Sequence, residues 1–206
     1  MTKNMKWLQW VSEIQAIAQS GLAYCANEFD KERYIRLEEI ITELAAYCSE
    51  HQLEDITNMF SLEKGYATPK IDVRSFILKD NQLLLVKERS DGLWTLPGGW
   101  ADINESPSEA VVRETKEETG YDVSPIKLLA LWDKLKHDHP PQWPHAYKCF
   151  FYCQIISGKP NKNLEIAEQA FFDLNNLPLL STHRVTKKQL NRLHELVITP
   201  QETQFD

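Results

Sequence analysis

No stretch of this chain approaches the roughly 20 consecutive apolar residues a membrane helix needs, and the amino-terminal MTKNMKWLQW has no signal-peptide core. The expectation is a cytoplasmic protein with no membrane partner. Blocks of basic residues are missing too, and the net charge is −7. That disfavours broad, non-specific nucleic-acid binding but leaves room for a small site taking one nucleotide or one RNA end. A C-x-x-C pair is also absent. The four cysteines, Cys25, Cys48, Cys149 and Cys153, are expected to be reduced, buried thiols rather than zinc ligands. Even spacing on a strand would turn Cys149 and Cys153 to one face.

What is present divides in two. Trp7, Trp10, Val11, Ile14, Ile17 and Ala18 have helical spacing over residues 5–19. A second helix, capped by Asp30, would carry Tyr34, Leu37, Ile41, Leu44 and Cys48, and a short third would span 53–60. These give a small amino-terminal helical domain, 1–65, with a linker punctuated by Gly65 and Pro69. From 66 to 206 the texture changes. Residues 70–79 and 82–88 are strand-like around a tight Asp80-Asn81 turn, and the unbroken apolar run 83–86 fits a strand buried on both faces. Further strands are expected over 126–133 and 147–156, with a short one starting at Phe171-Phe172. An amphipathic helix over 185–197, capped by Ser181 or Thr182, would close the domain. Strands interleaved with helices predict an α/β domain with a mixed sheet between helices.

The chemistry concentrates in residues 99–121, GWADINESPSEAVVRETKEETGY. Ser106 as N-cap, Pro107 at the first position, Glu109 completing a capping box and Gly120 as the stop define a helix. On it Glu114, Glu117 and Glu118 share one side, where like charges repel. Two adjacent glutamates alone would suggest a solvated acidic face. An all-oxygen cluster of three suits a hard divalent cation, Mg²⁺ or Mn²⁺. The glycines after Trp94-Thr95-Leu96-Pro97 let backbone carbonyls come close to a ligand or metal.

The full spacing G-x5-E-x7-R-E-x-x-E-E-x-G, from Gly99 to Gly120, resembles the box of the Nudix hydrolases. The resemblance extends over residues 70–200 and implies an α/β/α sandwich. Thr115 and Tyr121 stand where the family usually has aliphatic residues, both at packing positions. The helical segment ahead of Asp72-Val73-Arg74, with Trp132-Asp133-Lys134 and the loop after it, is similar to a bacterial branch acting on X-linked nucleoside diphosphates. The resemblance implies metal-dependent pyrophosphate hydrolysis, with CDP-choline, giving CMP and phosphocholine, as the preferred substrate. ADP-ribose, an RNA-processing activity at an RNA end or as a 3′ exonuclease, and a non-catalytic ligand sensor are the alternatives.

Carried over residue by residue, the resemblance makes Glu117 and Glu118 metal ligands and Glu114 a third ligand or a base. A carbonyl of Gly98 or Gly99 would complete the metal's oxygens, Arg113 would orient Glu114, and Glu105 would be structural. The general base, expected from a later loop, is Glu168 in preference to Glu165. In the loop HDHPPQWPH, His137, His139 and His145 are candidates for phosphate contacts. Trp143 is the candidate to stack on a base or cover a choline ammonium, with Trp132 or Trp100 as substitutes. A plain solvent-facing loop competes with that reading, and a separate metal site through His137 and His139 is disfavoured.

Trp7, Trp10 and Tyr34 bring more apolar surface than so small a helical unit buries alone. A homodimer through these helices is therefore expected. Sedimentation at micromolar concentration should show a dimer for the full chain and a monomer for a truncated form starting near Thr68. A monomeric full-length protein would refute the assignment.

Overall fold

The computed structural model describes residues 6–49, 52–140, 142–161, 163–199 and 201–206. The chain divides into two compact units, Met1–Pro69 with Pro141–His145, and Lys70–Pro140 with Ala146–Asp206.

In the first unit α1 (Lys6–Tyr24), α2 (Glu28–Cys48) and α3 (Leu53–Ser61) pack around Val11, Ile41, Ala45 and Ile56. The N-cap of α2 is Asn27, not Asp30: the Asn27 side chain accepts from the Asp30 amide at 2.8 Å, so Asp30 lies inside the first turn. Of the anticipated stripe on α2 only Ile41 is fully buried within the unit, whereas Leu44 and Cys48 are exposed. Trp10, Tyr24, Phe29 and Tyr47 are also exposed. Segment 141–145 joins this unit through Trp143, whose ring meets Phe60 with centroids 5.2 Å apart.

The second unit runs β1 (Lys70–Phe76), β2 (Leu78–Lys79), β3 (Gln82–Glu88), β4 (Trp94–Thr95), α4 (Pro107–Thr119), β5 (Tyr121–Asp133), β6 (Ala146–Gly158), β7 (Ile166–Phe172), α5 (Lys187–Ile198) and β8 (Gln204–Phe205). One sheet has the order β1-β6-β5-β8 and is mixed: β1 is parallel to β6, β5 antiparallel to β6, and β8 parallel to β5. The other is antiparallel, with β3 flanked by β2, β4 and β7. Asp80 and Asn81 both take positive φ, 51° and 62°, as a two-residue hairpin turn requires.

Alternation along the strands fills two cores. Leu83 and Leu85 join Phe76, Phe150, Leu190 and Leu193 on the α5 side. Leu84 joins Val73, Val111, Cys149 and Cys153 on the α4 side. Residues 83–86 are thus buried on both faces, and the strands lie between α4 and α5 in the anticipated α/β/α arrangement. Thr115 is fully buried on the α4 side, where its hydroxyl donates to the Val111 carbonyl (2.6 Å) and lies 2.9 Å from that of Ser75. Tyr121 packs against the same core.

Several anticipated boundaries differ. Helix α5 is capped by Thr186 and Gln189 in a capping box, while Ser181 bonds Asp91 at 2.8 Å and the Thr182 carbonyl accepts from His139. Phe171-Phe172 ends β7 instead of starting a strand. The cysteines split: burial raises the Cys149 and Cys153 thiols to about 11 and about 12, but Cys48 is exposed and Cys25 half-buried. No helix among the described residues is long and apolar enough to cross a membrane.

Leu193 is fully buried where α5 meets the sheet. Leu193→Ala is expected to lower unfolding free energy by about 2–5 kcal/mol in urea titration. A loss below about 1 kcal/mol would be inconsistent with a packed α5.

Candidate active site

Helix α4 is fixed at both ends. Ser106 and Glu109 form a reciprocal capping box, and Gly120 closes the helix at φ 79° with its amide on the Lys116 carbonyl. A Cβ at Gly120 would stand 2.4 Å from the Lys159 carbonyl oxygen, so glycine is required there.

The loop before α4 is laid along β1. Val73 donates to Gly99 (2.8 Å), Ser75 to Pro97 (2.9 Å) and Ala101 to Ile71 (3.0 Å). Gly98, at φ 134°, presses so closely on β1 that a Cβ would fall 2.1 Å from the Val73 carbonyl oxygen. This close approach sets the Gly98 amide 2.8 Å from Glu118 Oε2. A Cβ on Gly99 would collide with the Glu114 carboxylate, at 2.8 Å. The Gly99 carbonyl serves Val73 and keeps a second lone pair.

Around α4 one guanidinium gathers the carboxylates. Arg113 grips Glu105 with two hydrogen bonds, Nε to Oε2 at 3.0 Å and Nη2 to Oε1 at 2.6 Å. Its Nη1 donates to Glu114 (2.8 Å) and reaches Glu117 (3.2 Å), and Nη2 touches the Trp100 carbonyl. The hydrogen bonds from Arg113 and the Asp102 amide hold Glu105 down at about 2. Glu114 moves the other way, because burial raises it. Glu118 is only 4% exposed, and burial pushes its carboxyl up to about 8 despite Arg74 and the Gly98 amide; Glu88 and Glu114 add to the rise.

Among the described residues no three His, Cys, Asp or Glu side chains converge as a preformed metal nest. The chemistry of the donors nevertheless fits a hard cation. Glu114, Glu117 and Glu118 offer oxygen only, and the buried Glu118 carboxyl is the kind of group that ionises when a cation arrives beside it.

The later candidates lie elsewhere. Glu168 sits on strand β7 instead of a loop, exposed and paired with Lys87 at 2.8 Å. Glu165 is exposed in the preceding turn. That segment is stitched to the end of α4, with Asn163 donating to the Glu117 carbonyl (2.8 Å) and Gln169 to Thr119 (2.9 Å). The four loop residues are not gathered into one unit: His137 and His139 belong with the sheets, Trp143 and His145 with the helices. His137 stacks on Trp132 at 4.5 Å, with Nε2 3.0 Å from Asp206. The Nδ1 of His139 donates to the Thr182 carbonyl (2.7 Å), and burial lowers its pKa to about 4, so it is neutral near pH 7.

Two charged groups beside the loop escaped the sequence reading. Asp72 lies opposite Lys148 in the β1–β6 register, and both Lys148 and Arg74 (2.7 Å) bond it inside the protein. Burial alone would raise Asp72, but these two cations bring it to about 2. Arg184 binds Glu88 (3.1 Å) and Asp91 (2.7 Å). The only available signal was Asp72 and Arg74 alternating with Ile71 and Val73, which does not say where a partner 76 residues away will fall.

A family model described as "NUDIX domain" matches residues 68–193, and one described as "UDP-X-like, N-terminal oligomerisation domain" matches residues 5–60. A protein of Bacillus subtilis (strain 168), "Putative ADP-ribose pyrophosphatase YjhB", is 46% identical over 202 residues, covering 98% of this chain and 97% of its own. Among solved structures, a UDP-X diphosphatase aligns over 100% of both chains with TM-score 0.65 and 31% identity. An ADP-ribose pyrophosphatase from Streptococcus suis 89-1591 aligns over 68% of this chain and 100% of its own, with TM-score 0.62 and 39% identity.

Raising Glu118 from 4.5 to about 8 means that the folded chain holds a proton the unfolded chain has lost across that window. Metal-free stability therefore falls as pH rises from 4.5 to about 8. Glu118→Gln, uncharged throughout, should raise the melting temperature in EDTA at about pH 8.5 and leave it nearly unchanged at about pH 4.5. Equal shifts at both pH values would contradict the buried-carboxyl account.

Proposed function

The chain belongs to the Nudix family and is a Nudix pyrophosphohydrolase, and on that premise we propose that its substrate is ADP-ribose, cleaved to AMP and ribose 5-phosphate. The observation carrying the reaction class is the carboxylate group of α4 gathered by Arg113 beside the Gly98–Glu118 contact. The choice of substrate leans on relatives of 46% and 39% identity whose names specify ADP-ribose. CDP-choline was expected from the branch resemblance together with Trp143 and the histidine loop; Trp143 meets Phe60 in a tilted ring contact at 5.2 Å, and neither of these relatives is named for choline.

In this reading Glu117 and Glu118 would hold Mg²⁺ or Mn²⁺, with a Gly98 or Gly99 carbonyl as a further oxygen, and Glu114 is left to act as the base. When bound, the metal neutralises the pyrophosphate oxygens and acidifies water. Arg113 keeps the Glu114 carboxylate oriented, and the tight loop against β1 keeps the Gly98 amide on Glu118. Water adds to one phosphorus, the bridging P–O bond breaks, and the water proton passes to a carboxylate. Glu114, whose basicity burial increases, suits that role better than Glu168, which is held by Lys87. A homodimer through α1–α3 is supported by the oligomerisation-domain match and by the exposed Trp10, Tyr24, Phe29 and Tyr47.

A panel of ADP-ribose, CDP-choline and other nucleoside diphosphate derivatives with Mg²⁺ or Mn²⁺, read by chromatography of nucleotide products, tests the substrate. ADP-ribose should exceed CDP-choline in kcat/KM by about tenfold or more, a gap of about 1.4 kcal/mol in transition-state binding. The reverse order would return CDP-choline to first place. In the same assay Glu117→Gln and Glu118→Gln should lower kcat by about 100-fold or more while the circular dichroism spectrum stays native. Near wild-type turnover at saturating metal would remove either residue from the metal site.

A further inference from the structure

We propose that Arg74 is a positioning residue for the metal site. From inside the protein it holds the Leu96 carbonyl, and through the Leu96–Gly99 backbone it keeps the Gly98 amide on Glu118 and the Gly98 and Gly99 carbonyls in place. The role presupposes the metal at Glu117 and Glu118 proposed for this site.

Arg74 lies on β1 and is only 5% exposed. Its Nε donates to Asp72 Oδ1 at 2.7 Å and its Nη2 to Oδ2 at 3.4 Å. Lys148, fully buried, donates to the same Oδ2. The planar fork is thus fixed on a carboxylate that is itself braced from across the sheet. In that orientation Nη1 donates to the Leu96 carbonyl at 3.1 Å. Main-chain pairing is weak at this point of the loop. Ser75 donates to the Pro97 carbonyl, but Pro97 has no amide to return the bond. The Arg74 side chain supplies a second hold, one residue earlier.

Stability alone is a poor reason for such a group. Burying two cations and a carboxylate costs hydration that their pairing barely offsets, and packed apolar side chains in their place are often as stable. Its location is more informative. Two residues after Leu96 comes the amide that meets Glu118 at 2.8 Å. Arg74 itself makes no bond to Glu118 among the described residues, so its effect there passes through the backbone. Charge and position then act in opposite directions. A positive charge beside a cation site weakens cation binding, so by electrostatics alone removing Arg74 tightens the site. By position, removing it loosens the site, because partners that orient a metal's ligands typically contribute about 10–100-fold in affinity.

Titration of the full chain with Mn²⁺, read as free Mn²⁺ by electron paramagnetic resonance, separates the two effects. Arg74→Lys keeps the charge but lacks the fork that reaches Asp72 and Leu96 together. It should weaken Mn²⁺ binding by about tenfold. Arg74→Met, which removes the charge as well, should also weaken it; where that variant fails to fold, Arg74→Lys carries the test. Leu193→Ala, destabilised in the α5 core, should bind Mn²⁺ as the wild type does. Glu117→Gln should bind it at least about tenfold more weakly. Wild-type affinity in Arg74→Lys, tighter binding in Arg74→Met, or an equal weakening in Leu193→Ala would each overturn the role of Arg74 and leave the metal site standing. Unchanged binding in Glu117→Gln, or no binding by the wild type, would overturn the metal site and the role of Arg74 with it.

Discussion

Arg113 carries one positive charge among carboxylate oxygens from Glu105, Glu114 and Glu117, all within 3.2 Å. Without it the acidic face of α4 would repel itself, since two like charges 4 Å apart cost about 4 kcal/mol at an effective dielectric near 20. The fork geometry of arginine lets one side chain hold several acids at once, which a lysine ammonium cannot reproduce. The grip on Glu105 is bidentate and the contacts to Glu114 and Glu117 are single. Glu105 therefore anchors the guanidinium, and the other two acids are each held by one contact.

The loop from Leu96 to Ala101 is the second half of the same device. Its backbone is fixed by three bonds to β1, and this rigidity brings an amide to Glu118 inside the protein. A carboxyl there is uncomfortable as an anion until positive charge arrives. Burial thus works against the anion at Glu118, while a guanidinium offsets the charge of Glu114 and Glu117. The loop depends on glycine at 98, where a Cβ would strike the β1 backbone, while at 99 a Cβ would meet the movable end of the Glu114 side chain.

Much of this was legible because it is local. Ser106, Pro107, Glu109 and Gly120 state where α4 begins and ends, and a spacing of three and four residues alone sets Arg113 beside Glu117. The continuous run 83–86 likewise announced a strand covered on both sides. What sequence hid was decided by long-range partners or by very short elements. Strands β4 and β8 have two residues each, too few for periodicity. Asn27 and Asp30 are both good caps, and only the extra turn taken by α2 chooses between them. Trp143 reads as an exposed loop aromatic until Phe60, 83 positions earlier, is seen against it. Lys148 is written like any surface lysine, yet it is fully buried against Asp72.

Strand β5, with thirteen residues, is long for a strand so near the rim of a sheet. Its ladder with β8 spans only Ala130 and Leu131, so among the described residues the stretch before them lacks a strand neighbour on that side. Such an edge invites another chain to add a strand. Here Pro125 removes a donor, Lys127 sets a charge on the rim and reaches over to the Gln201 carbonyl, and register shifts flank Pro125 and Leu128. A flat template is thereby broken into short, twisted pieces. The tail that follows α5 does the remaining work: Thr203 donates to Leu128 at 2.6 Å, and Asp206 accepts from the Asp133 amide. Backbone groups on the β5 rim at Leu128 and Asp133 are thereby taken up within the chain and withheld from an incoming strand.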